Sequence, residues 1–172
     1  GRIGRAVFRI ADAMDDIEII AINDLFDPEA LGYLLSYDTV MGQFDGGVSI
    51  EDEFMVTPRT RARMYQERSP ADLPWGELGI DAVVESTGVF KTREQLNQHI
   101  DAGAKRVLLT VPAKGDIDYT IVLGVNDAGL KADHRLISNA SCTTNCLAPL
   151  AKVLHEAFGI KDRLVKLPCG SR

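Results

Sequence analysis

Short, almost continuously apolar runs recur along this chain, and amphipathic segments separate them. Ile17-Glu18-Ile19-Ile20-Ala21-Ile22, Asp81-Ala82-Val83-Val84-Glu85 and Arg106-Val107-Leu108-Leu109-Thr110 are strand-length and apolar on both faces. A strand of that kind needs cover on two sides, which a parallel sheet with helices on each face supplies. The intervening segments read as helices. Asp27 followed by Pro28 opens one that runs to Tyr37, with proline at its first position. Thr92-Arg93-Glu94-Gln95 has capping-box spacing and opens another that stops at Gly103. This alternation predicts a doubly wound α/β domain.

At 172 residues the chain allows one sizeable domain, or one domain plus part of another. With 19 Lys+Arg against 25 Asp+Glu its net charge is −6, which argues against a nucleic-acid module. Its apolar stretches fall far short of the ~20 residues that span a membrane. Three cysteines cannot all pair with one another, so a disulfide framework is not expected and a reducing compartment is favoured. The chain starts at Gly rather than Met, so a preceding segment is expected. Residues 46–68, with Gly46-Gly47 and the basic cluster Arg59, Arg61 and Arg63, read as a small antiparallel insertion with a solvated charged face. Two further strands are expected at Tyr119–Leu123 and His134–Ser138. From Cys142 to Phe158, Leu147, Leu150, Ala151, Leu154 and Phe158 form a helical stripe, and Pro149 inside it predicts a kink.

Gly1-Arg2-Ile3-Gly4 has the spacing of the second half of a G-x-G-x-x-G loop. The first glycine of such a loop and the strand before it are absent. Ile3, Ala6, Val7 and Ile10 continue as an amphipathic helix, a strand follows, and Asn23-Asp24 stands at its end. Asp24 lies 20 residues beyond Gly4, where dinucleotide folds place a ribose-binding carboxylate. Glycines let backbone N–H groups approach a pyrophosphate at a helix N-terminus. A carboxylate at the second strand tip accepts from ribose hydroxyls and repels a 2′-phosphate, which predicts NAD rather than NADP.

The most informative stretch is Ser138-Asn139-Ala140-Ser141-Cys142-Thr143-Thr144-Asn145-Cys146. A cysteine flanked by hydroxyl residues at a helix start is a candidate nucleophile. The helix N-terminus favours negative charge on sulfur and can hold a developing oxyanion. Cys146, one turn further in, reads as a small buried hydrophobe. No pair of Cys or His completes a metal site with these two. His99 and His155 read as helix-surface residues, and His134 precedes a strand.

Together, Gly1-Arg2-Ile3-Gly4-Arg5, Asn23-Asp24, Tyr37-Asp38-Thr39, Glu85-Ser86-Thr87-Gly88, Gly103-Ala104-Lys105 and the nonapeptide around Cys142 resemble the glyceraldehyde-3-phosphate dehydrogenase family of the phosphorylating, glycolytic type. The likeness runs from residue 1 to about Ile160. It implies that Arg2 and Ile3 hold the NAD pyrophosphate through their backbone N–H groups and that Asp24 binds the adenosine ribose. It implies Arg68 near the adenine, Thr110 near the nicotinamide side, and the Thr87-Gly88 turn next to the cofactor. Cys142 would be the nucleophile, with Ser141 and Thr143 binding inorganic or substrate phosphate. The implied activity is NAD-dependent oxidative phosphorylation of glyceraldehyde 3-phosphate through a cysteine thiohemiacetal and thioester, in a cytoplasmic homotetramer.

The resemblance gives a Rossmann-type NAD-binding domain over 1–140, the start of a catalytic domain over 141–160, and an atypical tail over 161–172. The family's catalytic histidine has no match in this chain. Two alternatives stay open: an erythrose-4-phosphate dehydrogenase, and a truncated, non-catalytic nucleotide-binding fragment.

Overall fold

The computed structural model describes residues 1–161. In chain order the elements are α1 (Arg2–Asp12), β1 (Ala21–Asn23), α2 (Pro28–Ser36), β2 (Tyr37–Asp38), β3 (Gly42–Gln43), β4 (Ser49–Glu51), β5 (Phe54–Val56), β6 (Arg61–Tyr65), β7 (Ala82–Glu85), α3 (Arg93–Asp101), β8 (Arg106–Leu109), β9 (Tyr119–Thr120), β10 (Leu136–Ser138) and α4 (Cys142–Phe158).

The strands form two four-stranded sheets and one hairpin, β2-β3. The second sheet, in the order β7-β8-β10-β9, is parallel throughout. The first runs β1-β6-β5-β4, with β1 and β6 parallel and the rest antiparallel. The expected α/β fold with parallel sheets is therefore present.

Two points refine or change the sequence reading. The expected antiparallel strands over 46–68 are present as β4, β5 and β6 with their arginines at the surface, and β6 also pairs in parallel with β1, which joins them to the same sheet. The arginines of β6 alternate with Ala62 and Met64, and Arg61 and Arg63 reach outward to Glu51 and Glu53 at 2.8 Å each. The second point is that Ile17–Ile20 lies outside the strand, which begins at Ala21. Strand β1 has a ladder partner on one side only, and that ladder spans residues 21–23.

Strands β1 and β7 each stand at one edge of their sheet. They face a cleft of about 830 Å³ that is also lined by Gly4, Val7 and Phe8 of α1. A doubly wound sheet places a strand at this point of its order.

Each sheet has its own core. Phe8, Leu31, Leu35, Phe44 and Met55 fill the first. Leu96, Val107, Leu109 and Leu136 fill the second, each at most 1% exposed. Burying a side chain of that size is worth about 1.5–3 kcal/mol. A smaller cluster around Leu73, Trp75 and Ala104 joins the two, with Ala21 and Tyr65 against it.

The helix starts follow their caps. Asp27 accepts from the Ala30 amide at 2.9 Å with Pro28 at the first helical position. Thr92 and Gln95 form the expected reciprocal capping box. Helix α4 runs from Cys142 to Phe158 with Pro149 inside it. No helix among the described residues is long and apolar enough to cross a membrane.

Candidate active site

The first turn of α1 is where the nucleotide residues converge. Its N-cap is Gly1, which offers no side-chain cap, and the first turn holds no acidic residue. The N–H groups of Arg2 and Ile3 are therefore among the helix's open donors. Asp24, immediately after β1, lies beside this terminus, with its Oδ2 3.5 Å from the Gly1 nitrogen. The other carboxylate oxygen accepts from the Phe26 amide at 3.1 Å. From the opposite sheet, Ser86 follows β7 so closely that a Cβ on Gly4 would stand 2.7 Å from its Oγ. Glycine at position 4 is what lets α1 approach that strand end. A helix N-terminus between two strand ends, with a carboxylate at one of them, suits a pyrophosphate and its ribose. These residues fit NAD.

The Arg2 guanidinium points elsewhere. Its Nη1 donates to both oxygens of Asp38, at 3.0 and 2.8 Å. The amides of Met41 and Val40 hold the Asp38 carboxyl down at about 2, with Arg2 adding to them against the opposing effect of burial. Any contact of Arg2 with an anion at α1 thus falls to its backbone. Arg68 is exposed in the loop after β6. That loop is tied to the end of β1 by a pair of hydrogen bonds: Glu67 N–H to Asn23 Oδ1 at 2.8 Å, and Asn23 Nδ2 to the Glu67 carbonyl at 2.9 Å.

The strand ends of the second sheet are laced together. Thr110 donates its amide and its hydroxyl to the Glu85 carbonyl, at 3.0 and 3.2 Å. The Asn139 amide donates to the Leu109 carbonyl at 2.9 Å. The chain then turns through Ala140 into α4. Ser141 caps that helix, accepting from the Thr144 amide at 3.0 Å, and its hydroxyl meets Thr143 Oγ1 at 2.9 Å. Cys142 is the first helical residue and is exposed.

Three residues that the sequence did not single out hold this junction. Ser138 is fully buried and bridges the Val111 carbonyl and the Ala140 amide. Ala140 has a left-handed backbone, φ 56°. Asn145 Nδ2 donates to the carbonyls of Asn139 and Ser141, at 2.7 and 3.0 Å. Asn145 stands four residues after the cap, one helical turn on, and that spacing was the available signal.

The family model for the glyceraldehyde 3-phosphate dehydrogenase NAD binding domain matches residues 1–93, more than half of the chain. This chain belongs to the glyceraldehyde-3-phosphate dehydrogenase family. The model for the family's C-terminal domain matches residues 141–167, from the α4 cap to beyond the described residues. Glyceraldehyde-3-phosphate dehydrogenase of Haemophilus influenzae is 53% identical over 165 residues, 96% of this chain and 48% of the relative. The Geobacillus stearothermophilus enzyme is 53% identical over 161 residues, covering 93% and 48%. The cytosolic enzyme of Trypanosoma brucei brucei is 48% identical over 165 residues, covering 96% and 49%. The chain thus spans about half the length of the curated relatives it matches, and the cofactor of its NAD-binding domain is NAD.

Two readings of single residues are corrected. Cys146 is exposed rather than buried, because α4 buries none of its residues among those described. His99 is buried, 4% exposed, because its face of α3 is shared with Leu96 and turns inward. The expected tail over 161–172 lies, apart from Lys161, outside the described residues.

Proposed function

We propose that this chain supplies the cofactor cradle and the nucleophile of an NAD-dependent, phosphorylating glyceraldehyde-3-phosphate dehydrogenase. Residues 1–140 form the NAD-binding domain and 141–160 begin the catalytic one. The carrying observation is the pair of helix N-termini. That of α1 is uncapped beside Asp24, and that of α4 presents Cys142 next to two hydroxyls.

Arg2 and Ile3 hold the pyrophosphate through their amides, Asp24 the ribose, Arg68 the adenine side, and Thr110 the nicotinamide side. NAD when bound accepts a hydride. The Cys142 sulfur adds to the aldehyde carbon of glyceraldehyde 3-phosphate and forms a thiohemiacetal. Loss of the hydride from that carbon and of the hydroxyl proton leaves a thioester. An oxygen of inorganic phosphate then attacks the thioester carbonyl and expels the thiolate, yielding 1,3-bisphosphoglycerate. Ser141 and Thr143 hold phosphate at this helix end.

A histidine base accepts the proton, and it comes from outside this chain. The chain's three histidines are committed elsewhere. His99 is buried on Glu85, His134 stacks on Tyr119, and His155 Nδ1 accepts from the Ile160 amide at 3.1 Å. The complete protein is a cytoplasmic homotetramer in this reading. Its cytoplasmic setting is supported by the relatives described as cytosolic in Trypanosoma brucei brucei and Leishmania mexicana.

The test is cofactor reduction by the complete protein with glyceraldehyde 3-phosphate and phosphate. Activity with NAD that disappears in Cys142→Ser supports the proposal. Turnover retained by that variant removes Cys142 from its role.

A further inference from the structure

Trp75, His99 and Glu85 form a buried polar chain that the proposed chemistry does not use. Trp75 follows the 3-10 turn Pro70–Asp72, His99 belongs to α3, and Glu85 ends β7. They are 5%, 4% and 3% exposed. Trp75 Nε1–H donates to His99 Nδ1 at 3.0 Å, and His99 Nε2 meets Glu85 Oε2 at 3.2 Å. The other carboxylate oxygen, Oε1, accepts the Thr87 amide at 2.7 Å and the Thr87 hydroxyl at 2.5 Å.

The chain has a direction. An indole N–H can only donate, so Nδ1 is the acceptor and the ring proton sits on Nε2, facing the carboxylate. Burial pushes the Glu85 carboxyl up, and the hydrogen bonds from His99 and Thr87 outweigh it, leaving the group below its ordinary value. The rings are held in place around it. Trp75 stacks on His99 with centroids 6.4 Å apart, and Phe90 meets His99 edge-on at 6.5 Å. The loop carrying Trp75 presses on the end of α3. A Cβ on Gly103, whose φ is 108°, would stand 2.3 Å from Gly76 Cα.

A histidine that merely filled the core would need its nitrogens satisfied and no more. Here the far end of the chain is Thr87, an exposed residue, and its neighbour Ser86 is the one that Gly4 approaches. We propose that His99 is a positioning residue: through Glu85 it fixes the Ser86–Gly88 turn beside the N-terminus of α1, and so shapes the cofactor side of the fold. Its effect on cofactor binding rests on the NAD reading above; the relay to Thr87 does not.

Proton–nitrogen spectra of the 172-residue chain test it. In the unmodified chain the His99 ring should show the Nε2–H tautomer. Trp75→Phe should relax that preference and move the Thr87 amide signal, two links further on. His99→Leu should move the Thr87 amide and weaken NAD binding several-fold. His99→Gln, whose amide N–H still reaches for Glu85, should restore most of both. An Nδ1–H tautomer in the unmodified chain overturns the proposal. So does a Thr87 amide that stays put in Trp75→Phe while the remaining signals keep their native dispersion. Should His99→Leu not fold, the tautomer and the Trp75→Phe shift still decide. A Thr87 amide that moves in a chain that binds no NAD supports the relay and sinks the cofactor reading instead.

Discussion

The Ala140 amide donates to the Ser138 hydroxyl at 3.1 Å, and this bond holds Ala140 at a φ of 56°. Ser138 donates onward to the Val111 carbonyl at 2.8 Å. The bend from β10 into α4 is therefore made at a residue with a Cβ, in a conformation that glycine adopts more readily. It sits two residues before Cys142, so the direction in which α4 leaves the sheet depends on this clamp.

Ser138→Ala should destabilise the protein by about 1–3 kcal/mol, because the buried Ala140 amide loses its acceptor. Ala140→Gly should be neutral to stabilising by up to about 1.5 kcal/mol, because relief of roughly 1–2 kcal/mol of left-handed strain exceeds about 0.5–1 kcal/mol of added chain entropy. Urea midpoints at unchanged m-value check both. A Ser138→Ala variant as stable as the parent would show that the clamp is dispensable.

The low Asp38 carboxyl makes stability depend on acid. Its folded value of about 2 lies below the ordinary 3.8, so its contribution is fully present above 3.8 and is lost as pH falls through about 2. Glu85, also lowered from its ordinary 4.5, acts in the same direction below that value. The melting temperature should therefore decline through this acid range, and Asp38→Asn should flatten the part below pH 4. A slope unchanged by that substitution would rule Asp38 out as its source.

Asp24 governs cofactor choice in the proposed site. Asp24→Ala should weaken NAD binding and improve NADP binding, since it removes both the ribose acceptor and the charge that repels a 2′-phosphate. Calorimetric dissociation constants for the two cofactors measure the ratio. An unmodified protein that prefers NADP would contradict the role given to Asp24.

Cys142 and Cys146 are both exposed, so access does not separate them. Position on α4 does, because stabilisation of negative charge at a helix N-terminus, about 0.3–1 kcal/mol, falls off within the first turn. Iodoacetate should label Cys142 a few-fold faster than Cys146 in this chain, as read by peptide mass spectrometry. Equal rates would mean that the helix end gives no activation.

Much of this was legible where a local signal decides. Asp27-Pro28 and Thr92-Gln95 started their helices where the caps said, because a cap acts within one turn. The apolar runs at 82–85 and 106–109 became strands because they pair with each other, although the face that carries Val84 and Leu108 stays exposed rather than covered as expected. Ile19 and Ile20 carry the same composition and did not, since a strand needs a partner as well as a propensity. His99 was misread because its partners, Trp75 and Glu85, lie 24 and 14 residues away. The clue was Leu96, three residues earlier on the same face. Ala140 gave no clue at all, because alanine carries no preference for the left-handed region it occupies.

The cleft between β1 and β7 divides the cooperativity of the molecule. Each sheet has its own ladder and fills its core from its own side, while the cluster around Leu73, Trp75 and Ala104 and the approach of Gly4 to Ser86 link the two. Two such bodies can open separately, as foldons do. Amide exchange in the native chain should then fall into two protection levels, one for residues 2–65 and one for 82–138. Whatever seats itself between the two edges would merge them into one, raising the weaker level to meet the stronger.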